Sequence, residues 1–584
     1  MTFLKLNASV YTEMATIQKR KSRGKYYWSI VESRRVNGKP RPVIVEYLGS
    51  TASLINKLTS GEPHRIRSYS HGAVSVLFDM ANELRIAQII NANIPKQQVR
   101  SSLSVGESML MAAIGRVCYP TSKKSWFEKW AKTTSLQHCL KINLKKITSQ
   151  HFWDQMDALP EEAIPKIEAE LIKEIVSTQK IKLDTLFCDT TNFFTYIDSE
   201  NKRCNIAQRG KNKQKRSDLR QVGMLLLVSK EDKLPLFHSL YTGNLNDKTV
   251  FSNNFQNMIL RIKELVMSLE QITLVFDQGN NSKKMLKDVG GKVSFVGAIS
   301  PHYQKDLIDK ANSNFKKISI GKKREINVYR EKKEIWGQEL TTVVYISPKL
   351  KSGQTKGLEL LLKKALAKIK DLQERIKIPK TRGKKRTKSD VDKKMTSIVN
   401  RNVLLKKLIT WKVTSNNKGC HYLKFEVDEK ELLNLKENKF GRRILITNRH
   451  LWKTHQIIKA YRQQNNAEYA FRTFKNPFNI ALRPQYHWTE QKIKVHAFIC
   501  MLASVLMMTT HRKAKRQMAY KGSPQSLIRE LSSIRLATYI KKHKIRGEEG
   551  IKIETELEEA DKRLQLLIEN FNIRGDVLKK TILS

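Results

Sequence analysis

Thr185-Leu186-Phe187-Cys188-Asp189-Thr190-Thr191 is a short apolar run closed by an aspartate and two threonines. It has no helical period, and apolar, β-branched and aromatic residues bounded by polar ones read as a strand buried on both faces. Ile272-Thr273-Leu274-Val275-Phe276-Asp277 repeats the pattern and also ends at an aspartate. Two further strands lie between them, Gly223–Ser229 and Leu234–Tyr241, separated by the polar turn Lys230-Glu231-Asp232-Lys233. A helical stretch from Asp247 to Leu269 precedes the second aspartate run. A short helix near Ser282–Asp288 and a strand Val293–Ile299 follow it. The order βββαβαβ predicts an α/β class with a mixed sheet flanked by helices.

Outward from this core the periodicity changes. Between about 302 and 449 strand-like pieces recur: Ile326–Tyr329, Leu340–Ile346, Thr410–Val413, Tyr422–Val427 and Arg443–Thr447. A helix is expected from about Gly357 to Arg375, followed by a cationic run, 377–386, too charged to pack and expected to face a polyanion. A long helix is expected from Thr454 to Phe474. Upstream, Lys25–Ser33 and Arg41–Leu48 read as strands joined by Val36-Asn37-Gly38-Lys39, a hairpin signal. Residues from about 72 to 179 show helical spacing, with Trp126, Trp130 and Trp153 among lysines, as helix core or as part of a DNA-end-binding module. The expected division is 1–62, β-rich; 63–180, helical and DNA-binding; 181–301, core, first part; 302–449, a mainly β insertion; 450–512, core, second part; and 513–584, a helical C-terminal region.

The 584 residues include 109 Lys and Arg against 55 acidic residues, a formal charge of +54. Such an excess opposes compaction unless a polyanion neutralises it, and its spread along the chain points to a long nucleic-acid track. Lys-rich composition also occurs for genomic reasons alone. Six scattered cysteines form no CxxC pair, so neither a zinc knuckle nor a disulfide framework is implied, and a reducing intracellular setting fits. No signal-peptide pattern opens the sequence. The apolar stretch Val495 to Met508 is short for a bilayer and reads as a buried core helix; no membrane partner is expected.

Asp189 and Asp277 are the candidates for the chemistry. Phosphoryl transfer with two divalent cations needs oxygen ligands from several carboxylates around one point, contributed by elements adjacent in space. One aspartate after a strand is often a turn or a cap; two, each closing a buried strand, suggest a site where the two strands are neighbours, as they are in the sheet that this strand order resembles. A third ligand would come from the late helix. There Tyr461, Glu468 and Lys475 are spaced by seven, on one helical face, with Arg472 one turn beyond Glu468. This is either a surface ion-pair stripe or a metal ligand beside phosphate-binding cations. No HExxH and no GxxxxGK[ST] loop occurs.

The strand order resembles a ribonuclease H-like core. Tyr461-Arg462-Gln463 and Glu468-Tyr469-Ala470-Phe471-Arg472-Thr473-Phe474-Lys475 resemble the third-carboxylate helix of insertion-sequence DDE transposases with the Y-R-E-K signature. So do Arg483-Pro484-Gln485-Tyr486-His487-Trp488-Thr489-Glu490, His496-Ala497-Phe498, Arg216-Ser217-Asp218-Leu219-Arg220-Gln221-Val222, Gly243-Asn244-Leu245-Asn246-Asp247 and Phe276-Asp277-Gln278-Gly279-Asn280. The signature Arg is replaced by Gln464; Arg462 lies about 160° away round an ideal helix. The resemblance implies a ribonuclease H-like catalytic core interrupted by a mainly β insertion and cut-and-paste DNA transposition. Asp189, Asp277 and Glu468 would be catalytic and hold two Mg²⁺ (or Mn²⁺), and Tyr461, Arg472 and Lys475 would bind DNA phosphates. It implies a homodimer on double-stranded DNA, element ends and target alike, in a prokaryotic cytoplasm and associated with the nucleoid. Trp336 and Trp411 are the candidates for stacking on a flipped base, against β-core packing. A nuclease that cuts without joining, or a DNA-binding relative without chemistry, would share most of these features.

Overall fold

The computed structural model describes residues 15–36, 39–60, 65–95, 103–144, 147–212, 214, 216–266, 268–277, 283–289, 291–320, 325–378, 386–415, 421–476, 478–482, 486–545, 548–577 and 579–583. The chain divides into two compact units: 1–163 with 477–481 and 498–584, and 164–476 with 482–497.

The first unit opens with an antiparallel meander, β1 (Ala15–Ser22), β2 (Lys25–Val36) and β3 (Lys39–Ser50), in the order β1-β2-β3. Arg23 and Gly24 turn β1 into β2 with φ of 47° and 77°, the left-handed pair that a two-residue hairpin requires. Val36 pairs with Lys39; Asn37 and Gly38, the expected turn, lie outside the described residues. A short strand β4 (Arg65–Ser70) leads into helices that include Gly72–Glu83, Val105–Cys118 and Ser149–Asp157. Ser104 and Glu107 cap the second of these reciprocally. Trp126 is buried edge-on to Phe152 at 5.0 Å, with Phe127 and Trp130 packed beside it, so these aromatics are helix core.

The second unit carries a nine-stranded sheet. Its first five strands are β5 (Thr185–Thr195), β6 (Arg220–Ser229), β7 (Pro235–Thr242), β8 (Thr273–Phe276) and β9 (Ser294–Ile299). β5, β6 and β7 form an antiparallel meander, while β8 runs parallel to β5 and β9 parallel to β8. The helix Asp247–Leu265 crosses from β7 to β8. β10 (Lys316–Ser319), β11 (Glu325–Ile335) and β12 (Gln338–Ile346) follow, then β13 (Ile409–Ser415), β14 (His421–Val427) and β15 (Arg442–Thr447). The full order is β10-β11-β12-β15-β9-β8-β5-β6-β7.

That order corrects the expected insertion. Four of its strands extend the core sheet, because β9 would otherwise present an open edge and antiparallel β15 covers it. The remainder is mainly helical. Pro348–Lys377, Lys388–Val399 and Val403–Leu408 pack with the lone hairpin β13–β14 around Leu362, Ile369, Met395, Leu408 and Phe440. Most of the cationic run after the long helix, 379–385, lies outside the described residues.

The helical C-terminal tail is also corrected. Helices Pro524–Ser533 and Lys562–Phe571 are present, but β16 (Arg535–Ile545), β17 (Glu548–Leu557) and β18 (Lys579–Leu583) form a sheet in the order β18-β17-β16-β4. The apolar helix runs Glu490–Met518; it is long and apolar enough to cross a membrane, yet its apolar window is 94% buried within the protein, as a core helix should be.

Candidate active site

The parallel register of β5 and β8 runs Thr185↔Thr273 to Cys188↔Phe276 and then stops. Asp189 and Asp277 are the next residue on each strand. Their facing follows from the alternation of side chains along a strand. Cys188 Sγ lies 3.6 Å from Met258 Sδ, and the Phe276 ring lies 5.3 Å from Phe251, both on the helix Asp247–Leu265. One residue on, both aspartates turn to the opposite face. Asp277 is exposed and Asp189 half-buried; Asp189 Oδ1 accepts from the Thr190 amide at 2.8 Å.

Two helices cover that face where one was expected. Thr454–Arg462 packs on β8, β9 and β15, and Asn465–Lys475 packs on β5 and β6. The break falls at Gln463 and Gln464, where the hydrogen bonds shorten to Gln464 N–Tyr461 O at 3.1 Å and Ala467 N–Gln464 O at 3.0 Å. Gln463-Gln464-Asn465-Asn466 is a run of side-chain amides whose two asparagines favour helix starts over helix interiors. The seven-residue spacing therefore aligns Glu468 with Lys475 inside one helix but does not carry across to Tyr461.

Tyr461 is buried and donates to Asp277 Oδ1 at 2.6 Å, while Arg443 Nη1 donates to Tyr461 Oη at 3.0 Å. Burial, and then the negative charge of Asp277, raise the Tyr461 pKa far above the usual tyrosine value, so the phenol stays a donor. Arg443 was not anticipated from the sequence; it sits in an apolar strand, where a charged residue is itself a signal. Lys475 donates to Thr191 Oγ1, on the Asp189 face two residues along β5, and its ammonium lies 5.6 Å from the Phe193 ring centre. Glu468 is exposed and forms no ion pair with Arg472 among the described residues. Arg472 instead lies 5.8 Å over Tyr469, whose ring also carries Lys233 at 3.9 Å.

Several motif residues have structural roles. Arg220 donates to the carbonyls of Ala207, Asp198, Asn201 and Cys204, tying down the long β5–β6 connection. A Cβ on Gly243 would sit 1.9 Å from Gln221 O, so only glycine lets that turn lie against β6. Asn246 caps the helix Asp247–Leu265 through the Thr249 amide. Gln278–Asn280 and Arg483–Gln485 lie outside the described residues.

Trp336 occupies the β11–β12 turn with φ 52°, followed by Gly337 at 84°, and is 38% exposed. Trp411 is partly buried, packs against the helical lobe's core and donates to Asp392 at 3.2 Å. Asp189 and Asp277 offer hard oxygens on one face, the donor chemistry a Mg²⁺ ion takes. No group of three or more His, Cys, Asp or Glu placed to hold a metal occurs among the described residues, so Glu468 is not gathered with them.

No protein-family model matches the chain, and no curated protein does. Among solved structures, the chain is similar to a piggyBac transposase in a synaptic complex with hairpin DNA, at 9% identity and a TM-score of 0.39, covering 79% of this chain and 78% of that one. A likeness of that degree decides nothing about the chemistry.

Proposed function

We propose that the chain is a DNA transposase of the DDE type on a ribonuclease H-like core, binding the ends of its own mobile element as a dimer, cutting them and joining them to target DNA. The observation that supports this reading is the pair of aspartates at matched positions on adjacent parallel strands, facing the side covered by the Glu468 helix. Two Mg²⁺ ions would be held by Asp189 and Asp277, with Glu468, which is not gathered with them among the described residues, joining as third ligand once metal and DNA are bound, and would supply the Lewis acidity for attack and departure at phosphorus. Tyr461, held by Arg443, fixes one Asp277 oxygen, and the other accepts no hydrogen bond among the described residues. Lys475 and Arg472 are cations on the helix that bears Glu468, and in this reading they grip the phosphates beside the scissile bond. The net charge of +54 supplies the sequence-independent hold on the duplex.

The test is cleavage and strand transfer on duplexes carrying the element ends. Asp189→Ala, Asp277→Ala and Glu468→Ala should each abolish cleavage and leave DNA affinity largely intact. Mg²⁺ and Mn²⁺ should support the reaction, and Ca²⁺ should support assembly without chemistry. Full activity in excess chelator overturns the proposal, and cutting without joining reduces it to a nuclease.

A further inference from the structure

The meander Ala15–Ser50 carries nine Lys and Arg residues against two Glu, and most of it is exposed. Register assigns its two faces. On one, β2 contributes Tyr26, Trp28, Ile30, Glu32 and Arg34, and β1 places Lys21 opposite Tyr26 and Lys19 opposite Trp28. On the other lie Ser29 and Val31, both buried. The two irregularities in the β2–β3 pairing fall on β3, which carries one extra residue at each, so β2 keeps its alternation.

The first face has a particular chemistry. The Lys19 ammonium lies 3.9 Å from the Tyr26 ring centre and 5.8 Å from that of Trp28, and Lys21 lies 5.7 Å from Tyr26. Neither lysine pairs with a carboxylate among the described residues, whereas Arg34 is paired with Glu32 at 2.8 Å. Ile17 is 61% exposed and Tyr26 43% exposed on this same face. The Tyr26 ring faces both ammonium groups, and no carboxylate among the described residues compensates either charge. The lysines and rings of this face all lie on β1 and β2, strands about 4.8 Å apart, and a two-stranded ribbon is what a major groove about 12 Å wide admits. The tight turn at Arg23-Gly24 adds a further cation at the tip.

We propose that this face is a duplex-DNA-binding surface, seated in the major groove with Lys19 and Lys21 on phosphates and Tyr26 against the groove wall. The inference rests on the reading of the chain as a DNA-processing enzyme but is measured as binding. A chain that binds through this sheet and cuts nothing would leave the inference standing and overturn that reading.

The experiment uses the full chain and a fluorescein-labelled DNA duplex of mixed sequence, titrated across salt concentrations. Lys19→Ala combined with Lys21→Ala should lower the slope of log affinity against log salt by about 2, close to one unit per lost phosphate contact. Tyr26→Ala changes no charge and should still weaken binding by on the order of tenfold, the scale of one lost contact in a groove. Acetylation footprinting of the unaltered chain, which does not depend on any variant folding, should find Lys19 and Lys21 protected by the duplex. Unchanged slopes and affinities, or unprotected lysines, overturn the proposal. Equal protection by anionic vesicles or by single-stranded RNA also overturns it, because the surface would then not select a duplex groove.

Discussion

At the scale of single residues, Asp277 accepts a hydrogen bond from the Tyr461 phenol, a partner supplied by another element. An apolar run ending in Asp states where a carboxylate leaves a buried strand; the phenol that contacts it comes from a helix almost two hundred positions away. Tyr461, expected from the resemblance to bind phosphate, donates to Asp277. Tyr461→Phe should therefore slow cleavage by about tenfold or more with DNA affinity unchanged, as loss of an outer-shell partner does; an affinity loss without a rate change would restore the phosphate role. Arg472 has no carboxylate partner among the described residues, and the Lys475 ammonium meets Thr191. Single-turnover cleavage by Arg472→Ala and by Lys475→Ala should fall by on the order of tenfold. Melting temperatures should barely move, since a surface ion pair would be worth less than about 1 kcal/mol. Unchanged rates in both variants would remove them from the site, and greater damage from Arg472→Ala would support it as the cation that replaces the signature Arg at Gln464.

At the scale of elements the strands flanking the aspartates were placed closely, because a buried strand is announced by its own residues. The kink at Gln463-Gln464 was missed: the apolar positions on either side still fit one helical period, and a single turn of altered hydrogen bonding leaves that pattern intact. Also invisible was the clamp that packs the helix Ile164–Thr178 onto the sheet. Glu168, buried, accepts from the His238 amide at 3.0 Å and from Arg261 at 3.2 Å, with His238 Nδ1 at 2.5 Å. Arg261 also donates to the Pro165 carbonyl at 2.8 Å. Removing one partner of a buried charged group strands the others, so Glu168→Ala should destabilise this unit by about 3–5 kcal/mol. Chemical denaturation would measure it, and a loss below about 1 kcal/mol would mean that water replaces the carboxylate.

At the scale of the whole molecule, the first unit is closed by contacts between chain ends. His71 is fully buried, with Nδ1 2.7 Å from Ser135 Oγ and Nε2 2.9 Å from the Arg574 carbonyl; its amide donates to Ile534 O. Burial lowers its pKa below the usual histidine value. A histidine with a lowered folded pKa takes up a proton more readily when unfolded, so its contribution is intact above about pH 6.5 and falls as the pH drops below that value. The stability of this unit should decline from about pH 6.5 downward, by at most about 1.4 kcal/mol per pH unit for this one group, and its melting temperature should fall with it. His71→Asn should flatten that dependence; an equally steep decline in the variant would assign it to other groups. The same closure explains the C-terminal misreading. Glu- and Lys-rich segments suggest helix, yet Ile551 and Ile553 alternate, and β16 finds its partner β4 far upstream.

The sequence by itself determined the basic character, the order of strands in the core and the two aspartates, because burial on both faces and net charge are written locally in composition and period. Only the tertiary structure decided that the insertion's strands extend the core sheet, that the Tyr461 hydroxyl meets Asp277, that Trp411 lies beside the helical lobe's core and that the tail is half sheet. Each of these depends on pairing or packing between segments distant in sequence, where a strand edge or a carboxylate is satisfied by whichever partner the rest of the fold brings to it.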